Sequence, residues 1–104
     1  MKIMEDDGEV IDIVAIYWCA EKTLFLGIPK DFGGLTAINS NKVKIIDPKI
    51  NYRAVYFKNR MHGIYHWALI EEDLLDEVID HDPKSFNRFI EILKSEGVLS
   101  EDFI

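Results

Sequence analysis

The hydrophobic and polar positions divide the chain into a strand-rich first part and a helical last part. Val10 to Ala20 is apolar at nearly every position and rich in β-branched and aromatic residues, which is typical of a strand covered on both faces. A tight turn at Ala20–Lys22 leads to a second apolar strand, Thr23 to Ile28, so the pair predicts a hairpin. Pro29 ends this hairpin because proline has no N–H to give to a ladder.

Three further strands are predicted in the middle of the chain. Lys42 to Ile46 alternates polar and apolar positions, and its lysines suit an edge strand. Tyr52 to Lys58 and Ile64 to Ile70 follow it, joined by a turn at Asn59–Gly63. The short apolar piece from Leu35 to Ile38 fits either an added strand or a helical turn.

Two amphipathic helices are predicted after the strands. In the second, Asp82 is a good N-cap, Pro83 suits the first helical position and Gly97 suits the C-terminal cap. In the first, four apolar residues recur at helical spacing and form one core stripe: Leu74, Leu75, Val78 and Ile79. Strands first and helices last predict an α+β fold, an antiparallel sheet of about five strands followed by two C-terminal amphipathic helices packed on it.

Length and composition fit one globular domain over residues 1–104. The chain is 48% hydrophobic and 30% charged, which is typical of a folded protein. No apolar run approaches the roughly 20 residues that a membrane-spanning helix needs. The N-terminus turns acidic at once and lacks the apolar region of a secretory signal. The single Cys19 cannot form an intrachain disulfide, so we expect a cytoplasmic location.

The charge of the chain is negative and unevenly placed. The formal net charge of -7 argues against direct binding to nucleic acid or to an anionic membrane, and it allows a basic protein partner. Residues 1–21 carry six acidic and one basic residue, residues 22–60 two acidic and eight basic, and residues 61–104 eleven acidic and three basic. These segments either neutralise one another in the fold or leave an acidic patch on the surface.

The predicted helix after Ile70 carries the sharpest charge pattern. At about 100° per residue, its carboxylates fall opposite the apolar stripe, with no Lys or Arg four residues further on within the helix to relieve them. Like charges at that spacing destabilise a helix by a few tenths of a kcal/mol each, so basic neighbours offset them in the fold or a partner uses them. The candidate partner-binding residues are Asp73, Asp76, Glu77, Asp80 and Glu72.

No catalytic residue, metal site or cofactor is predicted. His62 and His66 are four residues apart, which on a strand places them about 13 Å from each other, too far to share one ion. Cys19 lies in an apolar run, where a thiol is normally inert. Tyr52, Tyr56 and His66 are either core residues or an aromatic binding face.

Three stretches of the sequence are similar to those of a known class of protein: residues 28–34 (IPKDFGG), residues 43–47 (VKIID) and residues 66–75 (HWALIEEDLL). With the small acidic α+β pattern, they resemble bacterial immunity proteins, which accompany polymorphic toxins such as those of contact-dependent growth inhibition systems. The resemblance implies a cytosolic, non-catalytic protein that neutralises one cognate toxin domain, often a nuclease. It implies no particular binding residue, because these residues vary between types.

Two functions follow as hypotheses, with a small enzyme using His62 or His66 as the third and weakest. In the first, the acidic helix, with the acidic residues near the N-terminus, meets a basic cleft of a toxin domain, and complementary charge speeds association. In the second, the chain is a structural or regulatory module that self-associates through its sheet. We expect a monomer or a weak homodimer. The N-terminal acidic residues concerned are Glu5, Asp6, Asp7 and Glu9.

Overall fold

The computed structural model describes residues 1–58 and 62–103. It confirms the α+β class: an antiparallel sheet of seven strands is followed by helices at the C-terminal end. The helices are α1 (Trp67–Glu71), α2 (Leu75–Ile79) and α3 (Pro83–Ser95), and a short 3₁₀ turn spans Ser40–Lys42. The strands are β1 (Lys2–Met4), β2 (Val10–Cys19), β3 (Lys22–Ile28), β4 (Thr36–Asn39), β5 (Lys44–Asp47), β6 (Ala54–Lys58) and β7 (His62–His66).

Strand β2 is the centre of the sheet. One of its edges pairs with β3, and β4 lies outside β3. The other edge is shared, because β1 pairs with the first residues of β2 and β7 pairs with residues 15–18. The register of β2 against β3 shifts between Ile13 and Ala15, where the partner on the other edge changes. Strand β5 pairs with β1 and β6 pairs with β7, so β4, β5 and β6 are edge strands in the part of the chain that the structure describes.

The sheet has a hydrophobic core on each face, which explains why β2 is apolar at nearly every position. The helices cover one face, where Tyr17 stacks on Tyr65 with ring centroids 6.4 Å apart and Phe89 is fully buried. The smaller second core joins residues of β1, β2, β3 and β4, including Ile3 and Ile38. Because β1 and β4 are separated by two strands in the sheet order, the sheet must curl for their side chains to meet.

Helix α3 follows its predicted signals closely. The Asp82 side chain accepts a hydrogen bond of 2.9 Å from the Ser85 N–H, and Pro83 is the first helical residue. At the other end, Gly97 has a φ of 77°, the left-handed conformation that ends many helices. No helix among the described residues is both long and apolar enough to cross a membrane.

The passage from the sheet to the helices differs from the prediction. The strand predicted over Ile64–Ile70 ends at His66, and Trp67 already belongs to α1. The acidic helix predicted after Ile70 is reduced to α2, because the backbone turns at Asp73 with a φ of 56°. The ambiguous piece at Leu35–Ile38 contributes to a strand, β4. The predicted turn at Asn59–Gly63 lies mostly at residues 59–61, outside the described residues.

Candidate functional site

The predicted partner-binding carboxylates surround α2, and the premise that they share one continuous helix is wrong. Asp73 lies between α1 and α2, in a left-handed conformation that aspartate adopts more readily than most residues. Asp76 and Glu77 occupy the first turn of α2, and Asp80 caps its C-terminal end. The four side chains are nevertheless exposed, as predicted, while that of Glu72 is half-buried. The exposed four are Asp73, Asp76, Glu77 and Asp80.

Two of the predicted carboxylates have partners within the fold. The guanidinium of Arg88 donates hydrogen bonds of 3.2 Å to both oxygens of Glu72. The hydroxyl of Ser85 donates a hydrogen bond of 2.9 Å to Glu77. Of the two explanations for the acidic pattern, a basic neighbour in the fold therefore accounts for Glu72, whereas Glu77 has a neutral hydrogen-bond donor and no basic neighbour within 4.0 Å among the described residues.

Three carboxylates have no such partner among the described residues. Asp73, Asp76 and Asp80 make no ion pair within 4.0 Å and no side-chain hydrogen bond in that part of the chain. Asp76 is at the N-terminal end of α2, where the helix dipole favours a negative charge, whereas Asp80 is at the C-terminal end, where the dipole opposes it. The local structure therefore gives Asp80 no electrostatic stabilisation from its own helix.

An exposed isoleucine lies among these carboxylates. Ile79 was predicted to belong to the core stripe, but its side chain is 44% exposed. Leu74 and Val78 of the same stripe are buried as predicted, and Leu75 is partly buried. Because α2 is little more than one turn long, Leu74 and Val78 are enough to hold it on the core. The remaining surface of α2 combines one apolar side chain with free negative charge.

A small depression lies beside this surface. It has a volume of about 80 Å³ and contains space for little more than a few water molecules. Asp73 and Asp76 both contribute to its wall, so these two carboxylates are close to the same part of the surface. Its apolar lining comes from β6, α1 and α2: Phe57, Leu69, Ile70 and Leu75.

His66 is a structural residue that caps α1. Its Nδ1 accepts a hydrogen bond of 3.1 Å from the Ala68 N–H, so the ring proton is on Nε2, which donates to Glu96 at 2.6 Å. Burial lowers the pKa of His66, and the neighbouring Glu96 carboxylate opposes this shift in pKa only in part. The imidazole is fully buried and out of contact with solvent.

Glu96 connects the end of α3 to the start of α1, a role that the sequence did not reveal. Its second carboxylate oxygen accepts a hydrogen bond of 2.6 Å from the Trp67 indole N–H. The Arg53 guanidinium lies 5.1 Å above the Trp67 ring and makes two hydrogen bonds, of 2.6 and 2.9 Å, to Glu71. The basic middle of the chain therefore neutralises part of the acidic C-terminal segment.

Of the two alternatives for Tyr52, Tyr56 and His66, a shared binding face is wrong, because Tyr52 and His66 are in contact inside the fold and only Tyr56 is exposed. The Tyr52 ring lies 5.1 Å from the buried His66 ring, and the Tyr52 hydroxyl is buried without a hydrogen-bond partner among the described residues. Tyr56 is instead 63% exposed and lies near His62, whose ring also contacts Trp18 at a centroid distance of 5.7 Å. His62 and His66 thus lie in different environments at the two ends of β7.

No metal-binding arrangement is present in residues 1–58 and 62–103, where no group of three or more His, Cys, Asp or Glu side chains is placed to hold an ion. Cys19 is half-buried and makes no disulfide.

A second acidic surface lies at the turn between β1 and β2. Glu5, Asp6 and Asp7 line an open depression of about 680 Å³ together with all four residues of β4, which we call the β4 groove. Burial and the adjacent carboxylates of Asp7, Glu9 and Asp6 raise the pKa of Glu5. Lys42 and Val43 also line this groove, but no lysine or arginine among the described residues is within 4.0 Å of its carboxylates.

Comparison of the chain with models of protein families, with curated proteins and with solved structures finds no match.

Proposed function

We propose that this chain is a non-catalytic protein of the immunity type, which acts in the cytoplasm by binding and neutralising a cognate toxin domain with a basic surface. The observation that carries the proposal is the set of exposed carboxylates around α2, Asp73, Asp76 and Asp80, which have no cationic partner among the described residues. A basic partner would supply the positive charge that the fold itself does not.

The surface around α2 has the features of a charged binding site with an apolar anchor. The exposed Ile79 can be buried on association, and the free carboxylates around it can select a basic partner and speed the encounter. Glu77 and Glu72 border this surface, but Ser85 and Arg88 already hold them. We therefore assign them smaller contributions than Asp73, Asp76 and Asp80.

The first test examines the reading frame beside the gene for this chain, where the proposal expects a large protein with a variable, basic C-terminal region. Co-expression with that region measures protection of growth, and titration of the purified proteins measures affinity. Replacing Asp73, Asp76 and Asp80 together by Asn should weaken binding by about 10- to 100-fold, since each lost charge pair is worth on the order of 0.5–1 kcal/mol. The association rate of the unaltered chain should fall steeply with salt.

The matched control removes the same charge elsewhere. Glu21, Glu101 and Asp102 are exposed and outside α2, and replacing them by Gln, Gln and Asn should change the affinity far less. Equal losses in the two triple variants would mean that net charge alone matters, and unchanged affinity in the α2 variant would refute the assignment of this surface. Neutralisation should also leave the free energy of unfolding unchanged or slightly higher, because it relieves repulsion.

Self-association through the sheet is a second candidate, favoured by edge strand β5. Ile45 and Ile46 on this strand are 48% and 40% exposed, and β5 pairs only with β1 among the described residues. Exposed apolar edges pair readily with a second chain. Sedimentation at low and high salt separates the two candidates: a homodimer that Ile45→Lys abolishes supports self-association, and a monomer at every concentration supports the first proposal.

A further inference from the structure

The β4 groove has the shape and the chemistry of a site for an extended peptide. The curl of the sheet brings the β1–β2 turn near β4, so that Glu5, Asp6 and Asp7 line the same depression as the four residues of β4. Its volume of about 680 Å³ is within the range of pockets that hold small ligands. A neighbouring depression of about 690 Å³ shares Glu5 and Asp6 and continues toward Lys44, so the groove is elongated.

Strand β4 offers unpaired backbone groups to this groove. It pairs with β3 along one edge, and no other strand of the described residues pairs with it. Alternate residues of an antiparallel edge strand direct N–H and C=O away from the sheet. An added strand satisfies those groups without requiring a particular sequence, because its affinity comes largely from main-chain hydrogen bonds.

The charge of the groove selects the kind of strand. Glu5, Asp6 and Asp7 bring three carboxylates close together, against Lys42 in the same lining and Lys44 in the neighbouring depression. The raised pKa of Glu5 reflects burial and crowding by like charge, which a cation would relieve. Lysine or arginine side chains on an extended segment would meet these carboxylates, whereas an acidic segment would be repelled.

We propose that the β4 groove binds an extended, basic peptide segment as an added strand next to β4. The inference rests on the proposed function only in assigning that segment to the toxin partner, which then contacts both the groove and the surface around α2. The strand addition itself is a property of this chain and can be measured without the partner.

The experiment titrates the isotopically labelled protein with a short capped peptide in which lysine alternates with valine, and with the same peptide carrying glutamate in place of lysine. The lysine peptide should shift the amide signals of residues 36–39 and slow the hydrogen exchange of the outward amides of β4. The glutamate peptide should bind at least about tenfold more weakly, because it brings like charge to the groove.

Two triple variants locate the site. Replacing Glu5, Asp6 and Asp7 by Gln, Asn and Asn should weaken lysine-peptide binding by about tenfold or more, and Asn at position 7 can still accept the 2.9 Å hydrogen bond from the Glu9 N–H. Replacing Asp73, Asp76 and Asp80 by Asn should leave peptide binding unchanged. If the first variant does not fold, Asp6→Asn alone, at an exposed position, should give a smaller loss in the same direction.

The proposal is overturned if the lysine peptide leaves the exchange of the β4 amides unchanged, if both peptides bind alike, or if the α2 variant loses peptide binding as much as the groove variant does. Growth protection against the toxin domain is measured separately. If the α2 variant no longer protects growth and the lysine peptide does not slow the exchange of the β4 amides, the proposed function stands and the groove is refuted. If the peptide slows the exchange of the β4 amides and the α2 variant still protects growth fully, the groove stands and the proposed function is refuted.

Discussion

Replacing Glu96 by Ala should cost this small protein a large part of its stability. One carboxylate oxygen lies 2.6 Å from Nε2 of His66 and the other 2.6 Å from Nε1 of Trp67. A hydrogen bond to a charged group contributes about 1.5–3 kcal/mol, and an unpaired buried donor costs about 1–3 kcal/mol. The imidazole is fully buried, whereas Glu96 is 29% exposed, so water can replace only part of the loss. We expect about 2–4 kcal/mol of lost stability.

Urea unfolding followed by far-ultraviolet circular dichroism measures this loss, at a pH where Glu96 is ionised. Glu96→Gln keeps one acceptor oxygen and should lose about half as much. Glu91 is the matched control on α3, because its side chain is 74% exposed and 3.9 Å from Arg88, and Glu91→Ala should change the stability by at most about 0.5 kcal/mol. If the free energies of unfolding of the Glu96→Ala and Glu91→Ala variants differ by less than about 0.5 kcal/mol, Glu96 does not hold α1 and α3 together.

Two further predictions concern buried polar groups beside Glu96. Burial lowers the pKa of His66 in the fold, so below about pH 6.5 the unfolded chain binds a proton that the folded chain does not. Stability should therefore be full above that pH and fall as the pH drops toward 5, and His66→Asn, which can still cap α1, should flatten this slope in unfolding measurements. The hydroxyl of Tyr52 is buried without a partner in the described part of the chain. Tyr52→Phe should therefore raise the free energy of unfolding by about 1 kcal/mol or more, and the melting temperature with it; a lower melting temperature would contradict this.

Local patterns were enough to predict the elements whose signals are close together in the sequence. Helix α3 has its N-cap at Asp82, its apolar stripe and its glycine end within one short segment, and all three are found. The β2–β3 hairpin is likewise local, with Ala20 and Glu21 between the paired residues Cys19 and Lys22. Each of these elements is decided by residues that contact one another along the chain.

The misassigned region depended on contacts that the sequence does not display. His66 ends a strand because its ring caps α1 and reaches Glu96, which is 30 residues further along the chain. The turn at Asp73 limits the predicted acidic helix to α2, although hydrophobic spacing alone fits a longer helix. The outward position of Ile79 follows from that turn, since a one-turn helix packs fewer residues than a continuous one. The exposure of the carboxylates was predictable because charge is rarely buried without a partner.

The fold divides the acidic residues of its C-terminal part into two groups. Glu71, Glu72 and Glu96 are held by Arg53, by Arg88 and by the pair of His66 and Trp67, so their charges stabilise the junction between sheet and helices. Asp73, Asp76 and Asp80 stabilise nothing comparable and repel one another, at a cost of a few tenths of a kcal/mol for each close pair. Neutralising the first group should therefore lower the stability, and neutralising the second should spare the stability and weaken binding. This opposite response to the same chemical change would separate the carboxylates that stabilise the fold from those proposed to bind a partner.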